Sequence, residues 1–340
     1  MNQPISWTNL GFKYLDTGSY VSADFKNGRW SRPAVRHGDH LSIHIAATCI
    51  HYGQACFEGL KAFRTKDGRV VCFRPDAHAA RLALSAARLC MAPPPRELFI
   101  DAIQALVEAN AAYVPPYGPR ASFYVRPLLL GTSPVIGVHE SEEYVFVVLG
   151  MPVGPYYKSG LVPVSAWVQE TYDRAAANGV GHIKAAGNYA AGMLGDKEMR
   201  RHGHEVSLYL DSATHTFIDE FGTSNFIGIT ADGRYVTPAS KSILASVTND
   251  SLQQIAADFG LIVERRPIRW DEIKHFTEVG ACGTAAVITP ISSITRGTDV
   301  VRFGDEAEAG PTLTRLFRAI QAIQYGEQED RYGWVQTMLA

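Results

Sequence analysis

Apolar and polar positions follow two periods along this chain and divide it into helices and strands in mixed order. RPDAHAARLALSAARLCM (74–91) repeats apolar residues at helical spacing and runs into Pro93, Pro94 and Pro95, which predicts a helix ending there. RELFIDAIQALVEANAAYV (96–114) predicts a second amphipathic helix that ends before Pro115. ASFYVRPLLLG (121–131) and EYVFVVLGMPVG (143–154) are short, β-branched and aromatic, so they read as strands. GRVVCFRP (68–75) follows Lys66-Asp67-Gly68 as the return arm of a hairpin begun by GLKAFRT. LSIHIA (41–46) alternates like a strand.

PVGPYYKSGLV (152–162) is rich in Pro and Gly and interrupts this pattern, which marks a linker. Beyond it the pattern predicts a helix over about 188–202, the strand EVSLYLD (205–211) and a hairpin in FIDEFGTSNFIGI (217–229). A helix from about 249 stops at Gly260, the turn GACGTAAVITP spans 280–290, and a last helix lies near 311–325. The reading is α+β (mixed α/β) in two domains: a smaller one at 1–154, a linker at 155–164 and a larger one at 165–340.

Composition narrows the function. The chain has 340 residues, 46% of them hydrophobic, and a formal net charge of −2, without the basic excess of a nucleic-acid or membrane-surface binder. Neither a run of roughly 20 apolar residues nor a secretory leader is expected. Cys49, Cys56, Cys72, Cys90 and Cys282 are odd in number and form no CxxC pair, so they read as reduced, buried thiols of a cytoplasmic protein.

The residue that changes the picture is Lys184, set in HIKAAGNYAAG among Gly, Ala, Ile and Asn. A partly desolvated lysine loses charge more readily and becomes a nucleophilic amine, able to bind an aldehyde such as pyridoxal phosphate. A lysine that merely snorkels from a small-residue segment is the plainer alternative. Glu220, in IDEFGTSN, is an acid in an apolar strand pair; it could face a pyridinium nitrogen or sit at a hairpin edge in water. Its neighbour Asp219 should face the other way. SVTNDSLQQIAADFG could bind a phosphate at its helix start or only cap that helix. Thr284 offers a turn hydroxyl, Arg81 stands among alanines rather than acidic partners, and Tyr189 follows the lysine by five residues.

HYGQACFEGLKAFR (51–64), FRPDAHAARLALSAARL (73–89), SFYVRPLLLG (122–131), KAAGNYAAG (184–192), IDEFGTSNF (218–226) and GTAAVITP (283–290) resemble, in order and spacing, branched-chain-amino-acid aminotransferases. IQYGEQEDRYGWV (323–335) is similar to their C-terminus, so the likeness runs over roughly residues 5 to 338. These are fold type IV, D-amino-acid-aminotransferase-like enzymes that use pyridoxal phosphate and act as homodimers. The resemblance implies that Lys184 bears the cofactor covalently, that Glu220 pairs with its ring nitrogen and that Tyr189 bonds its ring hydroxyl. It implies a phosphate site from Arg81, the amides of Val247 and Thr248 and the Thr284 hydroxyl, with Thr223 among the cofactor contacts. Tyr52, Phe57, Tyr124, Arg126 and Tyr156 match the substrate pocket, Phe57 as apolar wall and Arg126 toward a distal carboxylate. The amides of Thr284 and Ala285 match the turn that takes the α-carboxylate. Amino acids and 2-oxo acids are then the partners, with no metal, nucleic acid or membrane.

This sequence departs from the family at Ser224, at Ala286 and Thr289 where some members carry cysteines, and in the alanines after Lys184. A metal site at His40 and His44 is a rival without a third ligand. GVGHIKAAG fails both nucleotide-loop patterns. A D-amino-acid or amine aminotransferase, or a lyase of the same fold, is the nearer rival.

Overall fold

The structure is a computed structural model and describes residues 5–154 and 161–340. The first stretch of chain forms β1 (Ser19–Lys26), β2 (Arg29–Trp30), β3 (Ala34–His37), the short α1 (Thr48–His51), β4 (Ala55–Phe57), β5 (Leu60–Arg64) and β6 (Val70–Phe73). Helices α2 (Pro75–Arg88) and α3 (Arg96–Ala109) follow, then β7 (Ser122–Gly131) and β8 (Tyr144–Val153). Next come β9 (Val164–Gln169), α4 (Ala186–Arg201), β10 (Val206–Leu210), β11 (Ile218–Phe221), β12 (Ser224–Thr230) and β13 (Arg234–Pro238). Helix α5 (Val247–Asp258), β14 (Ile262–Arg266), β15 (Phe276–Gly283), β16 (Val287–Arg296), β17 (Asp299–Arg302), α6 (Pro311–Gln324) and β18 (Val335–Leu339) complete the order. The fold is mixed α and β, as the periodicities require.

Two compact units divide the chain. The first takes Met1–Lys158, Lys184–Ala186 and Ala322–Ala340. A single boundary near 155–164 therefore does not describe the division, because two later segments join the first unit. Hydrogen bonding gives the reason: Val335 of β18 pairs with Phe73 of β6, and Ala185 bridges Cys56.

The first unit is an antiparallel sheet in the order β18-β6-β5-β7-β8-β1-β2, with β3 on β1 and β4 on β7. Successive side chains of a strand face opposite ways. Phe123 and Val125 of β7, with Leu60 and Ala62 of β5, pack with Leu82 of α2 and Phe99, Ile103 and Leu106 of α3. Each of these side chains larger than alanine, fully buried, contributes about 1.5–3 kcal/mol. Lys61, Tyr124 and Arg126 alternate with them and so occupy the other face, where Phe12 and Met151 pack on Tyr124. That face carries the polar chemistry.

In the second unit β11 pairs with both β10 and β12, so β11-β10-β9-β16-β15-β12 close on themselves; β13, β14 and β17 extend this ring. Closure removes edges from the ring strands, and β12 is buried along its five central residues. Phe221, Phe226 and Phe276 stack within this unit.

Some expectations need correction. LSIHIA forms no strand, and Leu41 and Ile45 are exposed; its alternation has no neighbouring strand to satisfy it. The second helix ends at Ala109, because Asn110 turns back and donates to the Leu106 carbonyl. Helix α5 starts two residues early, at Val247, where the Ser246 hydroxyl caps the Asn249 amide. All five cysteines are free, but Cys90 is exposed and Cys49 half-buried, so only three are buried thiols.

Candidate active site

Pro75 opens α2 with a preset backbone angle, and the buried stripe of the helix includes His78, Leu82, Ser85 and Ala86. Arg81, one turn beyond His78, lies along the same side. Its guanidinium meets Glu58, just past β4: Nε donates to Oε1 and Nη2 to Oε2, both at 2.7 Å. Arg81 thus has an acidic partner after all, contributed from 23 residues earlier. His78 Nδ1 lies 2.7 Å from the same Oε2. Burial alone would push the Glu58 carboxyl up, but Arg81 and His78 override it and hold it well below the usual carboxylate range. Burial pushes His78 down, with the Glu58 charge pulling the other way.

Ser85 joins this group to the lysine. Its hydroxyl accepts from the Lys184 amide at 3.1 Å, while the Lys184 carbonyl accepts from Phe57 N at 3.2 Å. With both backbone groups of Lys184 bonded within the first unit, the side chain starts from a fixed root. Its Nζ stands 4.9 Å from the centroid of the Phe57 ring. Burial first, then the Arg81 charge, pushes the amine down to about 8. The composition of HIKAAGNYAAG pointed to such an amine. Ala185 is buried, and α4 begins at Ala186, so the lysine lies two residues before the helix rather than in it.

Arg126 lies 4.6 Å over the Phe57 ring and donates Nη2 to Tyr124 Oη at 2.9 Å. Its Nε is buried with no hydrogen-bond partner among the described residues, which leaves a donor for an acceptor. The first unit therefore brings together Lys184, Arg81, Phe57, Tyr124 and Arg126. It does not hold Tyr52 among them: that ring is 43% exposed and donates to the Ile136 carbonyl. Tyr156 lies outside the described residues.

In the second unit Glu220 is buried on β11. Its Oε1 accepts from Arg174 Nη2 at 2.9 Å and from Leu244 N at 3.2 Å, and its Oε2 from Asn225 Nδ2 at 2.8 Å. Three donors converge on this carboxylate, one of them a guanidinium. This is no hairpin edge in water. Arg174 also donates to the Gly181 and Ser242 carbonyls. Asp219 is buried as well, with Oδ2 bonded to Ser242 Oγ at 2.7 Å and Oδ1 without a hydrogen-bond partner among the described residues. Burial pushes its carboxyl up.

Val247 and Thr248 are the first two residues of α5, the end at which the helix dipole is positive. Tyr189 is half-buried in the first turn of α4. Thr284 and Ala285 are half-buried in the turn from β15 to β16, and Thr223 is exposed between β11 and β12. That β15–β16 turn leads into Val287 at φ 68°, a left-handed angle rarely held by a β-branched residue.

Four residues escaped the sequence reading: Glu58, His78, Ser85 and Arg174. The spacing of His78, Arg81 and Ser85 on one helix was a usable signal; Arg174, in TYDRAAANG, gave none.

Known proteins resemble this chain over most of its length. The model of the class IV amino-transferase family matches residues 55–294. A branched-chain-amino-acid aminotransferase of Haemophilus influenzae is 42% identical, over 97% of this chain and 98% of its own. The branched-chain amino acid aminotransferase of Escherichia coli superposes with a TM-score of 0.77 at 26% identity, over 94% of this chain and 99% of that one. A T.th. branched-chain amino acid aminotransferase, solved with pyridoxamine 5'-phosphate, gives 0.78 at 25% identity, again over 94% of this chain and 99% of that one. The same T.th. enzyme has also been solved complexed with N-(5'-phosphopyridoxyl)-L-glutamate, and that structure gives 0.77 at 25% identity with the same coverage.

Proposed function

The chain belongs to the class IV aminotransferase family, and from that premise we propose that it transfers amino groups between L-leucine, L-isoleucine or L-valine and 2-oxoglutarate, using pyridoxal 5'-phosphate. The observation that carries the reading is the softened amine of Lys184, rooted through its backbone beside the Arg81 guanidinium.

The donor set suits that cofactor. Lys184 would bear it, Arg81 with the amides of Val247 and Thr248 and the Thr284 hydroxyl would hold its phosphate, and Glu220 would keep its ring nitrogen protonated. Tyr189 and Thr223 complete the proposed contacts. Bound, the cofactor supplies an electron sink for charge developing at the substrate Cα. The protein does the rest. Lys184 Nζ, near neutrality in its titration, takes the proton from Cα and returns it as general base and acid. Phe57 would give the branched side chain an apolar wall, and the Arg126 Nε, bare among the described residues, would take the distal carboxylate of glutamate. Thr284 and Ala285 would hold the α-carboxylate on backbone amides.

We also propose a homodimer and a cytoplasmic location. Ile45, Ile50, Tyr52, Ile136 and Val138 are exposed, and hydrogen bonds tie their two loops together. Such an apolar group suits a second copy of the chain. Five unpaired cysteines suit a reducing compartment.

The test is a panel of 2-oxo acids with L-glutamate as donor. Rapid turnover of 4-methyl-2-oxopentanoate and its branched relatives supports the reading. Poor turnover of these, with good use of D-alanine or an aryl amine, would replace it with another reaction of the same fold.

A further inference from the structure

Glu58 has none of the usual reasons to be buried. It is fully inaccessible, just past the end of β4, and four donor contacts converge on it: Arg81 Nε and Nη2, His78 Nδ1 at 2.7 Å and Gly59 N at 3.3 Å. The grip on Arg81 is side-on, through Nε and one Nη2 proton. A guanidinium held so has its end-on edge, Nη1 with the second Nη2 proton, fixed in direction and turned away from the carboxylate.

We propose that Glu58 is a positioning residue for the cofactor: it aims the end-on edge of Arg81 at the phosphate and offsets the Arg81 charge beside Lys184. This rests on the reading of Arg81 as the phosphate arginine. His78, on the same helix face, holds Glu58 from its other side, so the carboxylate cannot turn away. The lysine senses the pair directly. Arg81 and Arg126 disfavour its protonated form, whereas Glu58 and Tyr124 favour it, and His78 is electrostatically coupled to it. A purely structural tie between α2 and the end of β4 would leave both cofactor retention and the titration of Lys184 unaffected by the Glu58 charge once folding is secured.

The experiment compares the wild type with Glu58→Gln, Arg81→Met and the double variant, each checked for folding by circular dichroism. Retention of pyridoxal phosphate is measured by equilibrium dialysis and visible absorbance. Reductive methylation of apoprotein across pH, read by peptide mapping at residue 184, follows the lysine. Glu58→Gln should weaken retention about 10- to 100-fold, the worth of one charge-assisted hydrogen bond, and lower the pH at which Lys184 becomes reactive. In the Arg81→Met background the same change should alter retention little, because Glu58 acts through Arg81. Wild-type retention in Glu58→Gln, or an equal loss in both backgrounds, overturns the inference. If Glu58→Gln does not fold, Glu58→Asp keeps the charge and shortens the reach. It should weaken retention while the Lys184 titration stays near that of the wild type, and full retention would again overturn the idea. If the wild type binds no pyridoxal phosphate, the cofactor reading itself fails; wild-type binding that ignores Glu58 sinks only this inference.

Discussion

Gly59 offers a single methyl group as a probe of the candidate pocket. Its backbone angle suits any residue, so Gly59→Ala brings no conformational strain of its own. The space does not exist, however: an added Cβ would collide with Tyr124 Oη and lie 3.0 Å from Cζ. Carbon contacts normally settle at about 3.5–4.0 Å, so the Cζ contact alone asks the ring to withdraw by roughly 0.5–1 Å, and the closer hydroxyl asks for more. Phe12 packs edge-on to that ring at 5.0 Å, and Arg126 donates to its hydroxyl at 2.9 Å, so withdrawal stretches or breaks the hydrogen bond. Overpacking costs about 1–3 kcal/mol, and the weakened hydrogen bond adds about 0.5–1.5 kcal/mol. Chemical denaturation should therefore show a loss of about 1.5–4.5 kcal/mol, the sum of those two terms. Displacement of Arg126 should lower kcat/KM for glutamate about 10- to 100-fold, the equivalent of one charged hydrogen bond, and lower that for leucine much less. Removing the colliding oxygen with Tyr124→Phe in the Gly59→Ala background should restore most of the stability but not the preference for glutamate. If Gly59→Ala is as stable as the wild type and its glutamate-to-leucine ratio is unchanged, the packing argument and the role given to Arg126 are both wrong.

The Lys184 amine, pushed down to about 8, predicts that roughly a tenth of it is neutral at pH 7. Borohydride trapping of an aldehyde at residue 184 of the apoprotein should rise with a midpoint near pH 8, and a midpoint near 10 would contradict the burial argument. The linkage has a definite sign: between about 8 and the ordinary lysine value the unfolded chain binds more protons, so stability rises with pH across that window. Lys184→Met should be more stable than wild-type apoprotein at pH 7 and lose that advantage by pH 10.5. Arg174→Met strips Glu220 of its buried cation and two carbonyls of a donor, for an expected loss of about 3–5 kcal/mol in urea denaturation. A loss under about 1 kcal/mol would show that the pair is not needed for stability.

The elements most legible in the sequence were those whose partners lie close by. Helix α2, which stops at Arg88 and turns at Cys90 (φ 54°) before it reaches the three prolines, and the β5–β6 and β11–β12 hairpins follow from local periodicity and turn residues. The parallel pairing of β9 with β16 brings Ala166 beside Ile294, and no local pattern announces it. The closed ring was therefore invisible. LSIHIA failed for the converse reason, because alternation implies a strand only where a sheet edge waits to accept it. In the site, Lys184 showed through the small residues around it and Glu220 through its apolar strand. Glu58 stayed hidden because its charge is answered from α2, by His78 and Arg81, and the chain between them says nothing about that meeting.

The pairing of β18 with β6 has a consequence for how the protein is born. When a ribosome has made the first 158 residues, most of the first unit is in hand, but β6 still lacks the neighbour that the finished sheet gives it, and Lys184 has not been made. Translation proceeds at about 5–20 residues per second, so roughly 10–40 s pass before β18 emerges. Throughout that interval a bare strand margin is open to the wrong partner, and nascent chains stalled in this window should be the ones that chaperones hold.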